Sequence, residues 1–175
     1  MDRERRLIER VVAGDRAAFA DIVDRYGGRL MAVAYRLLGS RPDAEDAVQR
    51  ALLQSFAGAS AYRAQWAVST WLYRILTNVC VDELRRRATR AAHDPGLVDH
   101  GSVDGRPGEY TDLHRALERV PREARVLLAL RYVNGLSYGE LARIRGVSIN
   151  TVKSQLARGK ALLRAELGTR GASDD

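Results

Sequence analysis

Apolar positions recur every three to four residues along almost the whole chain, the spacing of helices that bury one side. Leu7, Ile8, Val11 and Val12 predict a helix over residues 3–13, closed by Ala13 and Gly14. Asp15 is placed to cap a second helix, in which Phe19, Ile22, Val23 and Tyr26 form the apolar stripe. The Gly27–Gly28 pair predicts a bend or break, after which Leu30, Val33, Ala34 and Leu37 resume the spacing up to Gly39–Ser40. Pro42 then sits near the start of a helix running from Asp43 to about Phe56, with Ala47, Val48, Ala51, Leu52 and Phe56 as its buried phase. Residues 57–68 are small and weakly periodic. Ser69 or Thr70 can cap a long helix to about Arg87, whose buried phase is Leu72, Ile75, Leu76, Val79 and Leu84. No alternating strand pattern and no internal repeat occurs.

Between Ala88 and Glu109 the pattern fails, in a stretch with four glycines and two prolines. Over residues 91–110 one arginine stands against Asp94, Asp99, Asp104 and Glu109, a charge of −3. This predicts a flexible acidic linker between two helical lobes. The fold class expected is therefore all-α: two small helical domains, residues 1–88 and 110–168, joined by a linker over 89–109 and followed by a disordered tail, 169–175. In the second lobe Leu113, Ala116, Leu117 and Val120 precede Pro121, which opens a helix carried by Val126, Leu127, Leu130 and Tyr132 to Asn134–Gly135.

Leu136 to Leu163 is the most informative stretch. Ser137 with Glu140 makes a capping box, Gly146 suits the left-handed end of a short helix, and Ser148 can cap the next. A short helix, a glycine turn and a capped helix make the helix-turn-helix pattern. In the second helix Ile149, Val152, Leu156 and Leu163 fall on one side and are expected inward. Asn150, Ser154, Ala157, Arg158 and Ala161 lie opposite, flanked by Thr151 and Lys153. Small and hydrogen-bonding side chains beside cations suit a major groove, and Lys153 and Lys160 at the sides suit phosphate. From Leu141 to Leu163 the charges are Arg143, Arg145, Lys153, Arg158 and Lys160, with no acid among them.

Overall charge adds a modest argument: 29 basic residues against 22 acidic, net +7, favour a polyanionic partner. With 46 % apolar residues the chain has material for packed cores. Asp43, Glu45 and Asp46 at a helix start read as dipole compensation and a contact surface rather than a metal or acid–base site. The single Cys80 excludes an internal disulfide and sits in an apolar phase. His93, His100 and His114 are too dispersed for a metal site, so no metal or cofactor is expected. Nothing assembles a nucleophile, base and oxyanion site, so no enzyme is expected. The charged N-terminus and the lack of any apolar run near the roughly 20 residues of a membrane span predict a cytoplasmic protein without membrane insertion. Between Tyr62 and Tyr73 the chain places four aromatics, including Trp66 and Trp71, with Arg63 and Arg74 as the neighbouring cations. Rings that stack bases beside cations that hold phosphate suit single-stranded nucleic acid.

Together, residues 43–56, 69–87 and 120–163 resemble bacterial sigma factors of the small extracytoplasmic-function (ECF) group, which contain sigma regions 2 and 4 only. The resemblance implies a factor that binds core RNA polymerase, recognises −10 and −35 promoter elements and directs transcription initiation. Asp43, Glu45, Asp46 and Gln49 match the helix that holds the β′ clamp helices. Tyr62, Arg63, Trp66, Trp71, Asn78, Arg85 and Arg86 match the segment that opens and reads the −10 element. Residues 120–163 match the region that reads the −35 duplex and meets the β flap, with Asn150, Thr151, Lys153, Ser154, Arg158 and Lys160 on the DNA. The resemblance also implies an anti-sigma factor that masks both lobes. Arg145 stands where the family often has leucine and is expected exposed or on phosphate; Gln155 and Gly159 replace frequent arginine and alanine. A dimeric, ligand-sensing helix-turn-helix regulator is the competing reading, and it needs no aromatic–basic opening segment.

Overall fold

The computed structural model describes residues 2–63, 65–93 and 109–171. Its helices are α1 (Asp2–Val12), α2 (Arg16–Leu38), α3 (Arg41–Ala57), α4 (Val68–His93), α5 (Glu109–Arg119), α6 (Arg122–Asn134), α7 (Tyr138–Arg145) and α8 (Ile149–Gly171). A 3₁₀ turn, Ala59–Ala61, follows α3, and no strand occurs among the described residues. Of the expected linker, residues 89–93 continue α4 and Glu109 opens α5, while 94–108, including His100, lie outside the described residues. Residues 169–171, expected in a disordered tail, extend α8.

Local chemistry sets most boundaries. The Asp15 carboxylate accepts from the Ala17 and Ala18 N–H groups, and its pKa is lowered by the side-chain hydrogen bond from Arg10 and by these backbone donors. Ser40 caps α3, and Gly39 ends α2 at φ 70°. Several expectations fail, among them Val12 and Phe56, expected on the buried sides of their helices but 53 % and 38 % exposed. Gly27 and Gly28 do not break α2, because Tyr26 and Leu30 on either side are buried and packing outweighs the roughly 1 kcal/mol cost of each glycine. Ser69 and Thr70 do not cap α4, which starts earlier, at Val68, a buried residue that anchors the first turn. Tyr132 does not join the core face of α6 but points to solvent.

Gly28 has open space where a Cβ would go and no unusual backbone angle. Gly28→Ala is therefore expected to stabilise the chain by about 1 kcal/mol, raising the melting temperature by about 2–4 °C in calorimetry.

The N-terminal lobe packs α1, α3 and α4 around α2, and the C-terminal lobe packs α5, α6 and α7 on α8 and its neighbours. The lobes also pack on each other, α2 against α6 and α4 against α7. Helix α6 shows why: Ala124 to Leu130 are seven consecutive buried residues, so the helix is covered on every side. Ala124 and Leu128 face Gly159 of α8. Val126 and Ala129 lie on the opposite side, which α2 covers. One continuous apolar cluster runs through both lobes. Cys80 is fully buried in it, and burial pushes its thiol pKa up to about 12.

A close steric contact reinforces this seam. The His114 ring of α5 rests on Gly39, where any Cβ would fall onto the imidazole. Burial lowers the His114 pKa, opposed by Glu118 and assisted by Arg125, Arg87 and Arg36. Because the unfolded chain binds this proton more readily, stability rises with pH across the window below the ordinary value of 6.5 and is lost as pH falls through it. Denaturant melts between pH 7.5 and 5 should show this slope, and His114→Phe should flatten it.

Candidate nucleic-acid interface

The helix-turn-helix is built as its caps dictate. Ser137 Oγ accepts from the Glu140 N–H at 3.3 Å and Glu140 Oε2 accepts from the Ser137 N–H at 2.8 Å, closing the capping box of α7. Gly146 takes the left-handed conformation, φ 66°, that turns the chain. The Ser148 hydroxyl accepts from the Thr151 N–H at 3.0 Å and starts α8. Val152, Leu156 and Gly159 are buried, so α8 is held by one side. Ile149, expected on that side, is 47 % exposed, since it precedes the first full turn and has no element above it.

The opposite side of α8 presents Asn150, Lys153, Ser154, Ala157, Arg158 and Ala161 to solvent, with Thr151 and Lys160 half-buried at its margins. Ser154 donates to the Thr151 carbonyl at 3.0 Å, and Ser148 and Thr151 share a hydrogen bond of 2.8 Å. The residues named for a duplex therefore lie together on one exposed, acid-free surface.

The aromatic–basic group gathers at the start of α4. The Tyr62 hydroxyl donates to the Trp66 carbonyl, and its ring meets Trp71 edge-on at 5.4 Å. Trp71 is 8 % exposed and spends its surface in the core, so it presents no face to a base in this conformation. Trp66 is half-buried with the Arg74 guanidinium 5.2 Å above its ring, a cation–π pair that keeps one side of the indole dressed with charge. Arg63 is exposed. Asn78 lies further along α4 and accepts from Arg145. Arg85 and Arg86 are exposed and only loosely paired with Asp82 and Glu83, each at 3.4 Å.

On α3 the acidic group divides. Asp43 is tied to Arg87, which also donates to the Leu38 carbonyl at 2.9 Å, so it clamps α3 to α4. Glu45 pairs with Arg41 at 3.0 Å. Asp46 is 59 % exposed, with Arg50 Nε 2.8 Å away but not aligned for a hydrogen bond, and Gln49 is exposed. Leu53, absent from the expected contacts, is 63 % exposed on the same side of α3. Its i+7 spacing from Asp46 and i+4 from Gln49, off the buried phase, was the available signal.

Arg145 corrects the expectation of an exposed or phosphate-bound residue. Its side chain is 11 % exposed: Nη2 pairs with Glu123 Oε2 at 2.7 Å, and Nη1 donates to Thr77 Oγ1 at 3.3 Å and Asn78 Oδ1 at 3.2 Å. Burial follows because α7 lies on α4.

Among the described residues no group of three or more His, Cys, Asp or Glu side chains is arranged for a metal, and no helix is long and apolar enough to cross a membrane. Family comparison gives the class, that of the sigma factors: residues 22–90 match Sigma-70 region 2, and residues 110–163 match Sigma-70, region 4. The chain is 30 % identical to the ECF RNA polymerase sigma factor SigW of Bacillus subtilis, over 93 % of this chain and 96 % of that one. It is 38 % identical to the ECF RNA polymerase sigma factor SigM of Mycobacterium tuberculosis, over 93 % and 83 %. Among solved structures, the sigma factor RpoE in complex with the anti-sigma factor NepR from Bartonella quintana matches at TM-score 0.72 and 27 % identity, over 86 % of this chain and 96 % of that one. The chain belongs to the ECF RNA polymerase sigma factors.

Proposed function

We propose that the chain acts as a sigma factor in the cytoplasm and divides its work between lobes at residues 1–88 and 110–168, with 89–109 between them. The observation that carries this is the exposed, acid-free face of α8, which has the size and chemistry of a major-groove reader. Asn150, Ser154 and Arg158 meet base edges, while Lys153 and Lys160 hold phosphate and Thr151 steadies the first turn. Tyr62, Arg63, Trp66, Asn78, Arg85 and Arg86 serve the −10 element, Trp66 by stacking and the cations by phosphate contact. Trp71 supports this group from below, as its burial against Tyr62 suggests. Asp46, Gln49 and Leu53 meet the β′ clamp of core polymerase, and Asp43 and Glu45 hold the start of that helix. The C-terminal lobe also meets the β flap. An anti-sigma factor covers both lobes when transcription is off, as NepR is found with its sigma factor.

The test is a binding series on −35 variants at several salt concentrations. Arg158→Ala is expected to cost about 1–3 kcal/mol on the native site and relax preference at one or two bases. Lys153→Ala is expected to weaken all sequences alike and reduce the salt slope by about one unit. The reverse assignment of these two effects sinks the proposed orientation of α8. Trp66→Ala should leave −35 binding intact and weaken permanganate reactivity near −10 by about one to two decades in open-complex affinity.

A further inference from the structure

We propose that Glu83 is a positioning residue for DNA: its carboxylate holds Arg86 and Arg90 together as a two-pronged grip on the phosphates of the duplex that borders the opened −10 segment. The inference rests on the assignment of α4 to the −10 element. It goes beyond that reading by adding Arg90 to the contacts and by giving an acidic residue a part in binding a polyanion. Glu83, Arg86, Arg87 and Arg90 stand at i, i+3, i+4 and i+7, one stripe along α4. Arg50 reaches the same carboxylate from α3. Four guanidiniums therefore surround one carboxylate: Arg90 at 3.2 Å, Arg86 at 3.4 Å, Arg50 at 3.6 Å and Arg87 at 3.7 Å.

The four are not equivalent. Arg87 is committed to Asp43 and to the Leu38 carbonyl, and Arg50 has Asp46 2.8 Å away. Both are half-buried and form a cationic floor under Glu83, whose side chain is only 14 % exposed and is held in place. Arg86 and Arg90 are 60 % and 71 % exposed, and among the described residues neither has another ion pair. Arg86 Nη1 donates to Glu83 Oε2 and Arg90 Nη2 to Oε1. A guanidinium carries five N–H donors, so each arginine keeps most of its donors for a ligand. Stability does not account for the arrangement. Exposed pairs at these distances contribute little, and two arginines one turn apart on a helix repel. Without Glu83 these long side chains would splay. Anchored on the two oxygens of one fixed carboxylate, they stand side by side, and the fold has already done the ordering that binding would otherwise require. Phosphate oxygens match the donors left over. Arg86 and Arg90 lie about two and three turns beyond Asn78 along α4, where a single-stranded segment bound at Trp66 gives way to duplex.

The test uses holoenzyme assembled from core polymerase and the full chain. Two duplexes of equal length are compared, a promoter selected by the parent holoenzyme from a random pool and a scrambled sequence. Glu83→Gln removes a negative charge, so charge alone would tighten binding to both. Positioning separates them: the scrambled duplex should tighten, while the promoter should weaken about tenfold, the worth of one well-placed contact. Arg90→Gln should weaken promoter binding about tenfold and reduce the salt slope by about one unit. In the Glu83→Gln background the same substitution should add little, since the grip is already lost. Glu83→Asp keeps the charge but draws the carboxylate back by one methylene. It should weaken the promoter and leave the scrambled duplex unchanged, and it decides alone should Glu83→Gln fail to fold. Promoter binding that tightens in Glu83→Gln, or an Arg90→Gln loss that is equal in both backgrounds, overturns the inference. Trp66→Ala reports separately on the reading beneath it. Normal opening in that variant removes α4 from the −10 element, whereas impaired opening beside Glu83 variants that match the parent overturns the inference alone.

Discussion

Asp46→Arg is expected to abolish measurable association with core RNA polymerase while leaving thermal melting unchanged. Asp46 lies off the buried side of α3, formed by Ala44, Ala47, Val48 and Ala51, and more than half of its side chain meets solvent. Its intramolecular partner is Arg50, one turn on, and a pair of this kind is worth a few tenths of a kcal/mol. The folded state therefore barely registers the change. A partner surface arranged to receive a carboxylate meets a guanidinium instead, and like charges brought together at an interface cost several kcal/mol. At 1.4 kcal/mol per decade, that is a loss of a hundredfold or more in affinity. Anisotropy titration of labelled chain with core polymerase measures it. Equal affinity of variant and parent would remove α3 from the polymerase contact. Leu53→Ala tests the apolar part of the same strip and should weaken binding without lowering the melt, since Leu53 contributes nothing to the core.

Gly159→Leu is expected to destabilise the C-terminal lobe and to lose −35 duplex binding together with that stability. At Gly159, α8 crosses α6 so closely that a Cβ would stand 3.1 Å from Ala124 Cβ and from Leu128 Cδ1. A single methyl asks its neighbours for a few tenths of an ångström and brings about 1 kcal/mol of helix propensity in return, so Gly159→Ala should be close to neutral. Leucine cannot be accommodated by such small shifts. Overpacking of this kind costs about 1–3 kcal/mol, several degrees of melting temperature, and it moves α8 off α6. Since Asn150, Ser154 and Arg158 depend on that seating, duplex affinity should fall while association through α3 persists. A stable, DNA-competent Gly159→Leu would show that the crossing tolerates adjustment.

The elements that sequence reasoning placed well are those written locally. Ser137 with Glu140, Gly146, Asp15 and Gly39 act within a few residues of themselves, so spacing alone reveals them. The exposed face of α8 was legible for the same reason, because one periodicity decides both sides of the helix. What failed depended on distant parts of the chain. Gly27 and Gly28 look like a break until the packing around Tyr26 and Leu30 is known. The packing of Trp71 against Tyr62 was likewise not legible, whatever its part at the site. The partners of Arg145 are 68 and 67 residues away, beyond the reach of any local pattern.

The depth of Cys80 has a practical reading. A thiol with no solvent contact and a pKa near 12 is almost wholly protonated at physiological pH and out of reach of maleimides, peroxide or glutathione. In reagent chemistry the chain therefore behaves as though it had no cysteine. A single thiol introduced on α3 or α8 becomes the sole point of attachment for a dye, a spin label or a crosslinker, with the native side chain left in place. Oxidants that reach the folded protein therefore do not meet this thiol.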